Sequence, residues 1–255
     1  MRPNRIKQMW RAGQHVTLGW LSVSHSFTAE VMARQGFDAL VVDMQHGTTD
    51  MNDVWPMLQA ISQTDTVPIV RVPWNDPPTI MKALDLGAYA IIVPLINTAE
   101  DAAKAVAACR YPPVGMRSSG PVRAVHYGGA DYLAKANDEI VVMAMIETKE
   151  GLDNLDKICA TPGLDAVYIG PSDLSFALGL TPRGDNPDPV HIATCDKIRD
   201  AAHKHSIKAV MHCASAAFAA GAVKRGFDSV MLTSDLASMI AGARRQLDDL
   251  KAATA

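Results

Sequence analysis

One join recurs at every second strand of this chain, and it restricts the fold more than any other feature. Gly36-Phe37-Asp38-Ala39 leads into Leu40-Val41-Val42-Asp43, and Gly87-Ala88-Tyr89-Ala90 into Ile91-Ile92-Val93-Pro94. Gly163-Leu164-Asp165-Ala166 leads into Val167-Tyr168-Ile169-Gly170, and Gly226-Phe227-Asp228-Ser229 into Val230-Met231-Leu232-Thr233. A glycine ends a helix readily in the left-handed conformation, and a short apolar run bounded by turn residues reads as a buried strand. Further apolar runs lie between the joins, at 16–21, 67–72, 141–146 and 209–211. Helical periodicity separates most of these runs, at 27–35, 76–86, 98–109, 190–205 and 235–250. Alternating strands and helices imply a parallel sheet. Eight units with a two-strand period favour a closed (β/α)8 TIM barrel, with residues 1–255 as a single domain; an open doubly wound sheet is the alternative.

A barrel of this kind carries its chemistry at the C-terminal strand ends and in the loops that follow. Those positions hold His25, then Asp43, Gln45 and His46, Arg71, Asn97, Glu147, Ser172 and Asp173, His212, and finally Ser234 and Asp235. The opposite ends, such as Val67-Pro68 and Ile207-Lys208, look duller. Glu147 and Asp173 each follow a buried run, where a carboxylate adds nothing to the core. Either alone reads equally as a favourable charge at a helix start. Together they suit one hard divalent cation, which takes oxygen ligands and keeps positions open for water or substrate. His46 reads as a turn histidine, or as a base whose ring Asp43 orients. Arg71, in an otherwise apolar strand, needs an anion from the protein or from a substrate. His15, His191, His203 and His205 read as solvent-facing, whereas His126 and the strand-end His25 and His212 read as structural or specificity groups. The irregular stretch 111–131 is long enough to be functional, and its Arg117, Ser118, Ser119 and Arg123 are candidates for contacts to a second substrate. A second such loop spans 181–187.

Several classes are disfavoured. A net charge of -3 gives no reason to expect nucleic acid or an anionic membrane as partner. Cys109, Cys159, Cys195 and Cys213 lack metal-type spacing and read as reduced thiols, and residues 1–7 lead into no signal-like run, so a cytoplasmic protein is expected. No phosphate loop, dinucleotide fingerprint or nucleophile elbow occurs. No lysine projects from a strand end for a Schiff base: Lys208 lies at the wrong end of its strand, and Lys149 falls in a first helical turn. Enolate chemistry assisted by a metal is the better reading.

The motifs Asp43-Met44-Gln45-His46-Gly47, Arg71-Val72-Pro73-Trp74-Asn75-Asp76-Pro77, Leu84-Asp85-Leu86-Gly87-Ala88, Ile146-Glu147-Thr148 and Ile169-Gly170-Pro171-Ser172-Asp173-Leu174-Ser175 resemble those of the HpcH/HpaI family of class II pyruvate aldolases. The resemblance runs through nearly the whole chain. It implies a barrel of the phosphoenolpyruvate/pyruvate type, with the last helix exchanged between subunits of a homo-oligomer, often a hexamer. It implies that Glu147 and Asp173 bind Mg2+ or Mn2+, with Co2+ a further candidate. It casts His46 and Asp43 as the base machinery and Arg71 as the stabiliser of enolate or alkoxide charge. It assigns the N–H groups of the Gly170–Pro171–Ser172–Asp173 segment to the substrate carboxylate, and Asp85 to a neighbouring subunit's site. Gln45 stands where many relatives carry Glu, which removes a charge beside His46 and bears on substrate preference. The expected reaction is reversible cleavage of a 4-hydroxy-2-oxo acid to pyruvate or hydroxypyruvate and an aldehyde. The alternatives are a malyl-CoA-type thioester lyase, for which the chain shows no basic cluster, and a non-catalytic 2-oxo acid or metal-binding protein.

Overall fold

A computed structural model describes residues 1–254. The order is α1 (Arg5–Arg11), β1 (Val16–Leu21), α2 (Ser26–Ala33), β2 (Ala39–Asp43), α3 (Met51–Ile61), β3 (Val67–Arg71), α4 (Pro77–Asp85), β4 (Ala90–Val93), α5 (Ala99–Cys109), α6 (Ala124–Gly128) and α7 (Tyr132–Glu139). It continues through β5 (Val141–Ile146), α8 (Lys149–Asp153), α9 (Leu155–Cys159), β6 (Ala166–Ile169), α10 (Pro171–Ala177), α11 (Pro189–Lys204), β7 (Lys208–His212), α12 (Ala216–Lys224), β8 (Ser229–Ser234) and α13 (Asp235–Thr254). The strands form a closed parallel barrel in chain order, which removes the open-sheet alternative. Strands are apolar because side chains face either the barrel interior or the surrounding helices; Leu40, Val41, Ile91, Val142 and Val167 are all fully buried.

The recurring join has a mechanical purpose. Gly36, Gly87, Gly163 and Gly226 all adopt positive φ, between 83° and 103°, turning the chain from helix into strand. In three of the four joins an aspartate two residues later then latches the preceding strand; after Gly87 that position is Tyr89. Asp38 accepts from Thr17 N, Asp165 from Val142 N and Asp228 from Ala209 N, each at 2.9 Å. Cations complete the latches: Arg5 on Asp38, Lys7 and Arg110 on Asp165, and Lys208 on Asp228, which the His203 ring also contacts. The ends of the barrel remote from the strand C-termini are therefore not dull, contrary to the sequence reading; they are a ring of ion pairs serving stability. Asp165→Ala would leave the buried Arg110 guanidinium without its carboxylate, with only the carbonyls of Ile140 and Gly163 still bonded to it, and Val142 N–H without a partner, so a loss of about 3 kcal/mol in urea unfolding is expected.

Two other expectations change. The stretch 111–131 contains α6, and its two arginines are engaged by the protein's own groups, Arg117 buried and Arg123 half-buried. Arg117 is buried between the Tyr111 and Tyr132 rings and bonded to Asp85 at 2.8 Å. Arg123 binds the carbonyls of Leu86 and Leu58 and the hydroxyl of Ser62, where α4 and α3 end. Neither is free for a substrate. His191, read as solvent-facing, is fully buried, although His15 is exposed.

The last helix behaves differently from the others. Only Asp235 of α13 is buried, and its carboxylate accepts from Ser22 N and Val23 N, tying β8 to the loop after β1. Every described residue after it is exposed, including Leu236, Met239, Ile240, Leu247 and Leu250. Among the described residues, no helix is long and apolar enough to cross a membrane.

Candidate active site

Register assembles the site. Asp43 and Arg71 are partners in the β2–β3 ladder, so their side chains meet at the barrel mouth. Arg71 donates from Nε to Asp43 Oδ1 at 2.8 Å and from an Nη to Oδ2 at 2.6 Å, a bidentate pair in which both groups are buried. The Trp20 ring of β1 lies under the guanidinium, 4.7 Å from its centroid, and its indole N–H donates to Asp43 Oδ2 at 3.1 Å. Burial works against the Asp43 charge, but the Arg71 bonds outweigh it and hold the carboxyl below its usual range. The anion that Arg71 requires is thus the protein's own.

His46 lies elsewhere in this arrangement. It is exposed, and its backbone N–H, not its ring, approaches Asp43 Oδ1, at 3.5 Å. Among the described residues no hydrogen bond joins the Asp43 carboxylate to the His46 imidazole, because Arg71, Trp20 and the Gln45 N–H already occupy its oxygens. The expected orientation of the ring by Asp43 is absent. Gln45 is partly buried, and its Oε1 is enclosed without a donor.

Glu147 and Asp173 come from adjacent strands, following the ladder partners Ile146 and Ile169. Glu147 is 2% exposed, and its Oε1 accepts from Leu95 N at 2.9 Å. Burial pushes its carboxyl up to about 7; the Leu95 bond opposes this and the Asp173 charge reinforces it. Gly170 lets the backbone approach Glu147 closely, since a Cβ on it would meet Glu147 Oε2 unless that carboxylate moved. Asp173 is exposed in the first turn of α10. That helix makes its first intrahelical bond from Leu174 N to Gly170 O, so the N–H groups of Ser172 and Asp173 precede it. Two carboxylates that repel each other, one of them buried, fit a divalent cation. Among the described residues no three His, Cys, Asp or Glu side chains form a ready cage, so most coordination positions would fall to substrate and water.

Beside Arg71 a cavity of about 310 Å³ is lined by Trp20, His212, Thr233 and Ser234. His212 Nδ1 lies 2.8 Å from the Tyr168 hydroxyl, and its ring meets Trp20 edge-on at 4.9 Å. Burial and then the Arg71 charge push the imidazole down to about 3, so it is neutral. Trp20 and Tyr168 had been hidden within apolar runs. Their signal is position, since both lie on strands near the mouth.

Other strand-end residues are structural. His25 caps α2 by accepting from Phe27 N, Asn97 bonds the Thr148 hydroxyl, and Lys149 pairs with Asp153 outside. Asp85 ends α4 away from the mouth and lines a larger outer cavity of about 800 Å³ with Trp55, Lys82 and Arg123.

Residues 17–242 match the family model for HpcH/HpaI aldolase/citrate lyase. The chain belongs to this family. It is 40% identical over 249 residues to the hydroxypyruvate/pyruvate aldolase of Rhizorhabdus wittichii, covering 98% of this chain and 99% of that one. It is 41% identical over 189 residues to the 5-keto-4-deoxy-D-glucarate aldolase of Escherichia coli, 73% of each chain. The crystal structure of an HpcH/HpaI aldolase/citrate lyase family protein from Burkholderia cenocepacia superposes with a TM-score of 0.90 at 32% identity, over 97% of this chain and 99% of that one. This HpcH/HpaI family member is a carbon–carbon lyase with the TIM-barrel fold.

Proposed function

We propose that this aldolase reversibly cleaves a 4-hydroxy-2-oxo acid to pyruvate or hydroxypyruvate and an aldehyde, with a divalent cation such as Mg2+ or Mn2+ held by Glu147 and Asp173. The observation that carries the reading is the buried Glu147 carboxylate beside Asp173, at the same mouth as the Arg71–Asp43 pair. When bound, the cation would act as a Lewis acid, lowering the pKa of the C–H next to the 2-oxo group.

The chain's own groups supply the rest. The Ser172 and Asp173 N–H groups face the substrate carboxylate. The Arg71 guanidinium, aimed by Asp43 and Trp20, stabilises negative charge as it develops on the substrate oxygen. His46, or water polarised by it, removes the C4 hydroxyl proton in cleavage and the C3 proton in synthesis. Gln45, next to His46 in the loop after β2, contributes to the substrate contacts. The 310 Å³ cavity at Trp20 and His212 receives the aldehyde portion.

The exposed apolar residues of α13 support a homo-oligomer with exchange of this helix, in which Asp85 approaches a neighbouring mouth. The thioester-lyase alternative is less favoured, because relatives at 40% identity are named aldolases.

Proton NMR of pyruvate in D2O tests the reading. Methyl exchange catalysed with Mg2+ or Mn2+ and abolished by EDTA is expected. Exchange unaffected by EDTA would refute the metal assignment, and its absence with both metal and hydroxypyruvate present would refute the aldolase donor.

A further inference from the structure

His191 is on α11, outside the mouth, yet it is fully buried. Its Nε2 lies 3.2 Å from the carbonyl oxygen of Pro171, and its Nδ1 lies 3.6 Å from Cys195 Sγ. A carbonyl only accepts, so Nε2 carries the proton and donates. Nδ1 is then the acceptor, and the Cys195 thiol is its donor. The ring is neutral and confined to one tautomer, with both nitrogens satisfied.

The same carbonyl accepts the Ser175 hydroxyl at 2.6 Å. Ser175 Oγ in turn accepts from Asn186 Nδ2 at 3.0 Å, and that buried amide also donates to Thr181 O. Two buried side-chain donors thus converge on one peptide group, and a third side chain holds one of them. An apolar residue at 191 would fill the same space, so packing alone does not call for a histidine.

The carbonyl of Pro171 and the N–H of Ser172 belong to one peptide unit, which is trans in this chain. In a trans peptide they point in opposite directions. Holding the carbonyl outward, toward α11, therefore aims the Ser172 N–H the other way and sets the start of the turn that carries Asp173. The tolerance is small, because the neighbouring Gly170 already lies against Glu147.

We infer that His191, with Ser175, is a positioning residue that fixes the Pro171–Ser172 peptide and so aims Asp173 and the Ser172 N–H at cation and substrate. It acts through Pro171 and touches neither. The inference rests on the proposed metal role of Glu147 and Asp173.

The test is titration of the full-length protein with Mn2+, read by electron paramagnetic resonance of the free ion, followed by kinetics. His191→Met should bind Mn2+ about tenfold more weakly, the scale on which groups that orient metal ligands act. It should also raise KM for the 2-oxo acid. His191→Gln, whose amide N–H can reach the same carbonyl, should stay within about threefold of wild type, by the same reasoning. Folded His191→Met that binds Mn2+ as tightly as wild type overturns the inference, as does a His191→Gln that loses as much as His191→Met. If His191→Met does not fold, Ser175→Ala decides, since it removes the other donor to Pro171; undiminished Mn2+ binding there also overturns it. Asp173→Asn separates the two levels: if that variant binds Mn2+ like wild type, the metal reading itself fails and takes this inference with it.

Discussion

Glu147→Gln will sharply lower metal-dependent turnover and, at the same time, make the metal-free protein more stable at neutral pH. The activity loss should be about 10³-fold in kcat/KM, the scale of removing a group that organises transition-state charge. The stability gain follows from the carboxyl's environment. Its value is raised from 4.5 to about 7, with burial as the main cause. A group whose pKa is raised on folding contributes stability that is fully present below its unfolded value. That contribution is lost as pH rises through the folded value. Metal-free wild type should therefore lose on the order of 3 kcal/mol between about pH 4.5 and pH 7, for a shift of this size. Glu147→Gln should lack that component. Thermal unfolding in EDTA across this range checks it: wild-type Tm should fall relative to the variant as pH rises. Adding Mg2+ should restore the wild type and leave the variant unchanged. Parallel pH curves for the two proteins in EDTA would contradict the buried, uncompensated carboxylate on which the proposed metal site depends.

The barrel was legible because its signals are local. Gly36, Gly87, Gly163 and Gly226 mark turns that only certain backbone angles allow, and the intervening runs alternate with helices. The position of Glu147 and Asp173 beyond the ends of β5 and β6 was legible for a related reason, since a carboxylate just past a buried run is conspicuous. What escaped depends on contacts between distant segments. The aspartates of the joins latch strands about 20 residues away, so no local pattern announces them. His191 lies on a helix whose polar residues mostly face water, and only the packing of α11 against the start of α10 buries it. Arg117 sits in a stretch without periodicity, where nothing indicates that two tyrosine rings enclose it. Trp20 reads as core within an apolar run, although its position near the end of β1 brings it under Arg71.

The spacing of Asp43 and His46 illustrates the same limit, and it leads to the second large effect. Three residues of separation suggested a carboxylate orienting an imidazole, but cross-strand register makes Arg71 the nearer and stronger partner. If Asp43 works by aiming Arg71, then Asp43→Asn and Arg71→Lys should each lower kcat/KM by about 10²-fold, because lysine cannot reproduce a bidentate fork and asparagine no longer matches its charge. The double variant should be little worse than either single one. Expressed as coupling, Asp43 and Arg71 should interact by at least about 2 kcal/mol, the upper part of the range for contacting residues. Asp43 and His46→Ala should instead combine nearly additively, within about 0.5 kcal/mol, as independent sites do. The prediction extends to folding. Asp43→Ala leaves a buried guanidinium without its anion and should cost about 3–5 kcal/mol of stability, whereas His46→Ala, at an exposed position, should cost little. Measured couplings in the opposite order, strong for Asp43 with His46 and weak for Asp43 with Arg71, would restore the carboxylate–imidazole pair and require a ring orientation other than the one seen here. The expected order makes Arg71 the residue through which Asp43 acts and leaves His46 to work as a solvent-facing base.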